Sequence, residues 1–85
     1  MKIDNKQFDE LMETILKLKN KKALENFLYG ILTPKELVEI PHRLQIVKLL
    51  KRGVTHHEIA EKLKVGVATV TRGSNELQKG RFKYV

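Results

Sequence analysis

Apolar positions along this 85-residue chain recur mostly at the spacing of a helix. Phe8, Leu11, Met12, Ile15 and Leu16 stand at i, i+3, i+4, i+7 and i+8, one stripe of an amphipathic helix. Asp4 precedes them as a cap, with Gln7 three residues on. Leu24, Phe27, Leu28, Ile31 and Leu32 repeat the stripe, and "NKK" at 20–22 reads as the separator. "TPKE", Thr33–Glu36, opens a third helix: Thr33 caps, Pro34 suits the first helical position, and Glu36 completes a capping box. That helix is expected to reach about Arg52, ahead of Gly53, with Leu37, Ile40, Leu44, Val47 and Leu50 among its apolar positions. Pro41 has no N–H for the Leu37 carbonyl and its ring crowds that oxygen, which predicts a kink or a break. "THHE", Thr55–Glu58, caps a short fourth helix whose inner face is Ile59, Ala60 and Leu63.

The stretch "VGVATVTRGSNELQKG", residues 65–80, departs from this spacing. Val65, Val67, Thr69 and Thr71 alternate with Gly66, Ala68, Val70 and Arg72, the period of a strand. A single strand after four helices has nothing to pair with, so context favours a helix. At the helical period, Val67, Val70, Ser74 and Leu77 share one side, and Ala68, Thr69, Thr71, Arg72 and Asn75 share the other. Joined to residues 55–63 through "KVG", this makes a helix-turn-helix, with Ala60 where the two helices approach. Short side chains at the start of the second helix let its backbone come close to base edges, and threonine offers a methyl and a hydroxyl to them. Lys64 sits where such turns favour a left-handed residue, and Gly66 is expected to take over part of that role.

Charge changes the picture by its position. The chain has a net charge of +7, and residues 1–40 carry 7 basic and 7 acidic side chains. Residues 41–85 carry 10 basic and 3 acidic ones, so the cationic half is the one with the helix-turn-helix. Such asymmetry points to a polyanion. With 0 Cys, neither disulfides nor thiolate metal sites are available. No apolar run approaches the roughly 20 residues needed to span a bilayer. The opening "MKIDNKQFDE" contains no secretory h-region, so a cytoplasmic protein without a membrane partner is expected.

At "VATVTRGSNEL" the chain resembles the tryptophan repressor family, with "LTP" at 32–34, "RLQIVKLL" at 43–50 and "EIAEKL" at 58–63 at matching spacings. The resemblance covers roughly residues 31–78; the first two helices match in pattern only. It implies an all-α fold of short helices with a C-terminal helix-turn-helix, in a homodimer intertwined through its amino-terminal helices. It also implies a repressor that binds double-stranded DNA, often under control of L-tryptophan as corepressor. Within it, His56, His57, Val67, Ala68 and Thr71 are the candidates for reading base edges, and Thr69 and Arg72 hold phosphates. Asn75 joins this DNA-binding set from the same outer side of the helix. Arg43 and Arg72 would sandwich an indole, and Arg72 would also meet the ligand carboxylate. The backbone at Leu32 and Thr33 would accept from the ligand ammonium, and Gly73 leaves room beside it. Glu76 replaces a family serine that meets the ammonium, and Gly30 replaces a leucine of the pocket wall. The family's helix after the reading helix is missing, and "KGRFKYV" stands in its place.

One domain is expected over 1–85, divided into dimerisation helices 1–32, a central helix 33–53, a helix-turn-helix 55–78 and a basic tail 79–85. An enzyme is not expected, since Ser74 has no supporting histidine and Glu58 and Glu61 face no nucleophile. No metal site is expected from the adjacent His56 and His57, which point in different directions on a helix. A sequence-specific transcriptional repressor, regulated by L-tryptophan or a related small ligand, is the leading reading. A ligand-independent DNA-binding regulator of the same fold and a protein-interaction dimer module are the alternatives.

Overall fold

A computed structural model describes residues 2–85 and is all-helical over them. The helices are α1 (Asn5–Leu16), α2 (Lys21–Ile31), α3 (Pro34–Lys51), α4 (His56–Leu63) and α5 (Val67–Gln78). The residues 65–80 that alternate like a strand are therefore helical, as their context required. The chain divides into two compact units, Met1–Leu37 and Val38–Val85.

In the first unit the caps set the helix starts. Asp4 Oδ1 accepts from the Lys6 and Gln7 N–H groups, both at 3.0 Å. Asn20 Oδ1 accepts from the Ala23 N–H at 2.8 Å, so Lys21 and Lys22 form the first turn of α2. "NKK" is thus a cap followed by helix and not a separator, because an asparagine cap lets the helix begin at the next residue. At the head of α3 both halves of the capping box are made. The Glu36 N–H donates to Thr33 Oγ1 at 3.2 Å, and the Thr33 N–H donates to Glu36 Oε1 at 2.9 Å. No described residue up to Leu37 is buried. Leu11, Leu24, Phe27 and Leu28 are half-buried, while Phe8, Met12, Ile15, Leu16, Tyr29 and Ile31 are exposed.

Helix α3 continues through Pro41, so of the expected kink or break the break does not occur. The proline removes one donor, and it lies on an exposed position where water can serve the Leu37 carbonyl. The second unit closes a core from α3, α4 and α5. Ile46, Leu49, Ile59, Ala60 and Val70 form it, with Leu50, Val54, Leu63 and Val65 packed against it. Of the apolar positions named for α3, Val47 is buried and Leu50 half-buried, while Ile40 and Leu44 are exposed; Ile46 and Leu49, not among those named, are buried. The sequence stripe missed them because this part of α3 carries apolar side chains on more than one side. At the end of α3, Gly53 (φ +82°) gives its N–H to the Leu50 carbonyl, and Val54 gives its own to Leu49. That is a Schellman close, for which a glycine is the natural residue.

Thr55 Oγ1 caps α4 by accepting from the Glu58 N–H at 3.3 Å. Lys64 ends α4 in the left-handed region (φ 55°, ψ 46°), and the Val65 N–H reaches the Ala60 carbonyl at 3.0 Å. Gly66 is extended (φ −71°, ψ 150°) and caps α5, so it takes over none of the left-handed role. Lysine carries that conformation itself, at a cost of about 1 kcal/mol. On α5, Val70 is buried and Ser74 and Leu77 are half-buried, as the helical reading had them. Val67 is exposed instead of inward, because it is the first residue of the helix and stands at its open end.

Candidate nucleic-acid interface and adjoining cavity

Helix α5 is held from beneath by Val70, which is fully buried against the core, and α4 packs beside it through Ala60. Its outer side is therefore fixed in orientation. Ala68, Thr71, Arg72 and Asn75 fall at i, i+3, i+4 and i+7, and all four are exposed. Val67 and Thr69 are exposed beside them. The N-terminus of α5 has no side-chain cap, since Gly66 precedes it. Free N–H groups at a helix start favour an anion, so this end suits a phosphate. At the start of α4, His57 is exposed and His56 is half-buried. The eight residues expected to touch DNA thus all lie on α4 or α5, and His56 is the one with restricted access.

A cavity of about 500 Å³ adjoins this helix. Helix α3 supplies Glu39, His42, Arg43, Ile46 and Val47 to its lining, and α5 supplies Thr69, Arg72, Gly73 and Glu76. Four of the residues expected around a ligand, Arg43, Arg72, Gly73 and Glu76, are brought together there. Leu32 and Thr33 are not part of that lining; they belong to the first unit. Gly73 has a packing reason: a Cβ there would lie 3.0 Å from Ile46 Cγ2. Its missing side chain lets α5 rest on α3. Glu76 is engaged, with Lys79 Nζ at 3.5 Å and Arg81 Nε at 3.9 Å. All three groups are well exposed, so these pairs hold little energy but do keep two cations at the cavity's edge.

Residues 79–85 are more than a basic tail. Gly80 (φ +90°) gives its N–H to the Leu77 carbonyl at 3.1 Å, and Arg81 gives its own to Glu76 at 3.1 Å. The chain then turns so that Phe82, with φ 60°, lines the cavity. Lys51 Nζ, at the end of α3, donates to the carbonyls of Phe82 and Val85, each at 2.6 Å. Sequence reasoning missed Phe82, Lys51, Glu39 and His42. The signal for Glu39 was its place one turn before Arg43 on the same helix, and His42 lies one turn before the buried Ile46. Phe82 gave no periodic signal, because a turn and not a helix places it.

Two short helices joined by a tight turn, with an exposed polar and basic second helix, define a helix-turn-helix protein of the DNA-binding class. Residues 6–85 match the family described as Trp repressor protein, and the chain belongs to that family of DNA-binding transcription repressors. It is 29% identical over 83 residues to "Uncharacterized protein YerC" of Bacillus subtilis (strain 168), covering 98% of this chain and 80% of that one. It is 35% identical over 74 residues to "Trp operon repressor homolog" of Vibrio campbellii, covering 86% and 74%. With "Trp operon repressor homolog" of Actinobacillus succinogenes it shares 46% over 55 residues, covering 64% and 54%. No solved structure matches the chain. No helix among the described residues is long and apolar enough to cross a membrane. Nor do three His, Cys, Asp or Glu side chains among them gather where they would hold a metal ion.

Proposed function

We propose that this chain is a homodimeric repressor that reads a palindromic duplex through α5 of each protomer. The observation that carries the reading is the outer side of α5, where Ala68, Thr71, Arg72 and Asn75 are exposed while Val70 anchors the helix from behind. Val67, Ala68 and Thr71 read base edges with His56 and His57, and Thr69 and Arg72 hold phosphates. The exposed apolar side chains of α1 and α2 support the dimer, since a chain of 85 residues gains much from burying them against a copy. Selection from random duplex DNA tests it, with and without aromatic amino acids. The expected product is a two-fold symmetric site whose halves lie about 34 Å apart, one DNA turn. Affinity should fall steeply with salt. Absence of enrichment, with salt-insensitive association, would instead fit a protein-interaction module.

L-Tryptophan is expected to bind weakly. The Glu76 carboxylate lies in the cavity wall with Arg72, where it works against a ligand carboxylate drawn to that arginine. The Glu76 pairs with Lys79 and Arg81 favour a second reading, in which DNA binding needs no ligand. The chain has 0 Trp, so the fluorescence of added tryptophan reports occupancy without background. Weak binding that strengthens in Glu76→Ser is the expected result; tight binding to the unaltered chain would refute it.

A further inference from the structure

We propose that residues 80–85 form a strap that brings the chain's own aromatic group, Phe82, to the cavity between α3 and α5 and holds the reading helix in place without a small ligand. Four observations meet here. Phe82 is half-buried and lines the same cavity as Arg43 and Arg72, although the residues on either side of it are exposed. Its backbone stands at φ 60°, which a phenylalanine adopts only when its surroundings insist. Those surroundings are anchored at both ends. The Arg81 N–H is bound to the Glu76 carbonyl of α5 at 3.1 Å, and the Phe82 and Val85 carbonyls are bound to Lys51 of α3 at 2.6 Å. The strap therefore ties the end of α5 to the end of α3, with Phe82 in the cavity wall. A ligand placed between these helices would do the same work from inside, by fixing the tilt of α5. Planar guanidinium groups stack on aromatic rings, so a ring at this wall is matched to its neighbours.

The strap is independent of DNA, and only its consequence for repression rests on the proposed function. Hydrogen exchange of the full chain reads it directly. In Phe82→Ala the amides of α5 should exchange at least tenfold faster than in the unaltered chain, while α4 amides change less than threefold. Phe82→Tyr should retain the original protection. Lys51→Met, which keeps the ring and cuts the anchor, should move α5 in the same direction. It gives a second reading should Phe82→Ala lose its fold. Indole is the probe for the lost ring: at millimolar concentration it should slow α5 exchange in Phe82→Ala at least fivefold, and change α5 exchange in the unaltered chain, already held by the strap, less than twofold. Exchange of α5 within twofold of the original in both variants overturns the strap, as does an equal effect of indole on α5 exchange in Phe82→Ala and in the unaltered chain. Failure of the unaltered chain to enrich any DNA sequence would overturn the repressor reading and leave the exchange comparison standing.

Discussion

Val38–Val85 buries Ile46, Ile59 and Val70 almost completely, whereas no described residue up to Leu37 is buried. Both parts contain helices opened by capping side chains, Asp4 and Asn20 in the first and Thr55 in the second, so capping is not the difference. The second part closes a core within one chain, from Ile46 and Leu49 of α3, Ile59 and Ala60 of α4 and Val70 of α5, and still leaves Val38, Ile40 and Leu44 exposed. The first part has a stripe on α1 and another on α2, and leaves Phe8, Met12 and Ile15 exposed. A self-contained core gives the reading helix a fixed orientation. An open stripe leaves area for association, at roughly 25 cal/mol per Å² of apolar surface removed from water. The two parts divide the labour of the proposed repressor, one recognising the duplex and the other pairing the protomers.

This contrast is broken most forcefully at the core. Ile59→Ala is expected to cost about 3 kcal/mol, the usual loss for a fully buried large aliphatic side chain, read as a lower urea midpoint. A loss below about 1 kcal/mol would mean that α4 and α5 do not share a packed core. Next in size is Met12→Glu on the exposed stripe of α1. It should weaken dimerisation at least tenfold, or about 1.4 kcal/mol, with helicity retained at high protein concentration. Sedimentation reads this against a protomer mass of 9.9 kDa, and a variant that associates as before would remove the stripe from the interface. The smallest effect is at the turn. Lys64→Gly should stabilise the chain by about 0.5–1 kcal/mol, because glycine adopts φ 55° without the Cβ clash. Thermal unfolding checks it, and destabilisation would mean that the lysine side chain contributes more than its backbone costs.

Much of this was legible in the sequence, for identifiable reasons. Capping residues are local, so Asp4, Thr33 and Thr55 marked their helix starts correctly. The helical reading of residues 67–78 depended on context, since valine and threonine there favour a strand, and it held because Val70 packs on the core. The apolar positions named for α3 leave out the buried Ile46 and Leu49, because a helix apolar on several sides leaves its buried side to be chosen by its neighbours. Of the residues named from the family resemblance, Arg43, Arg72, Gly73 and Glu76 line one cavity and Leu32 and Thr33 do not, and Phe82 was invisible. Its position comes from the left-handed turns at Gly80 and Phe82 and a lysine more than thirty residues away, and none of these leaves a periodic trace.

In the proposed repressor, Thr71 on the outer side of α5 reads a base while Lys79, beyond the helix, only holds the backbone. Repeating the selection from random duplex DNA with Thr71→Ala and with Lys79→Ala separates the two roles most directly. Thr71 is exposed on the reading side of α5, and Lys79 follows the last residue of that helix. Thr71→Ala should change the preferred base at one symmetric pair of positions, with a loss of about 1 kcal/mol at the original site and little on random DNA. Lys79→Ala should keep the original site and lower affinity for all sequences alike, with a shallower salt dependence. Equal losses on selected and random DNA for both variants, with the preferred site unchanged, would contradict the account.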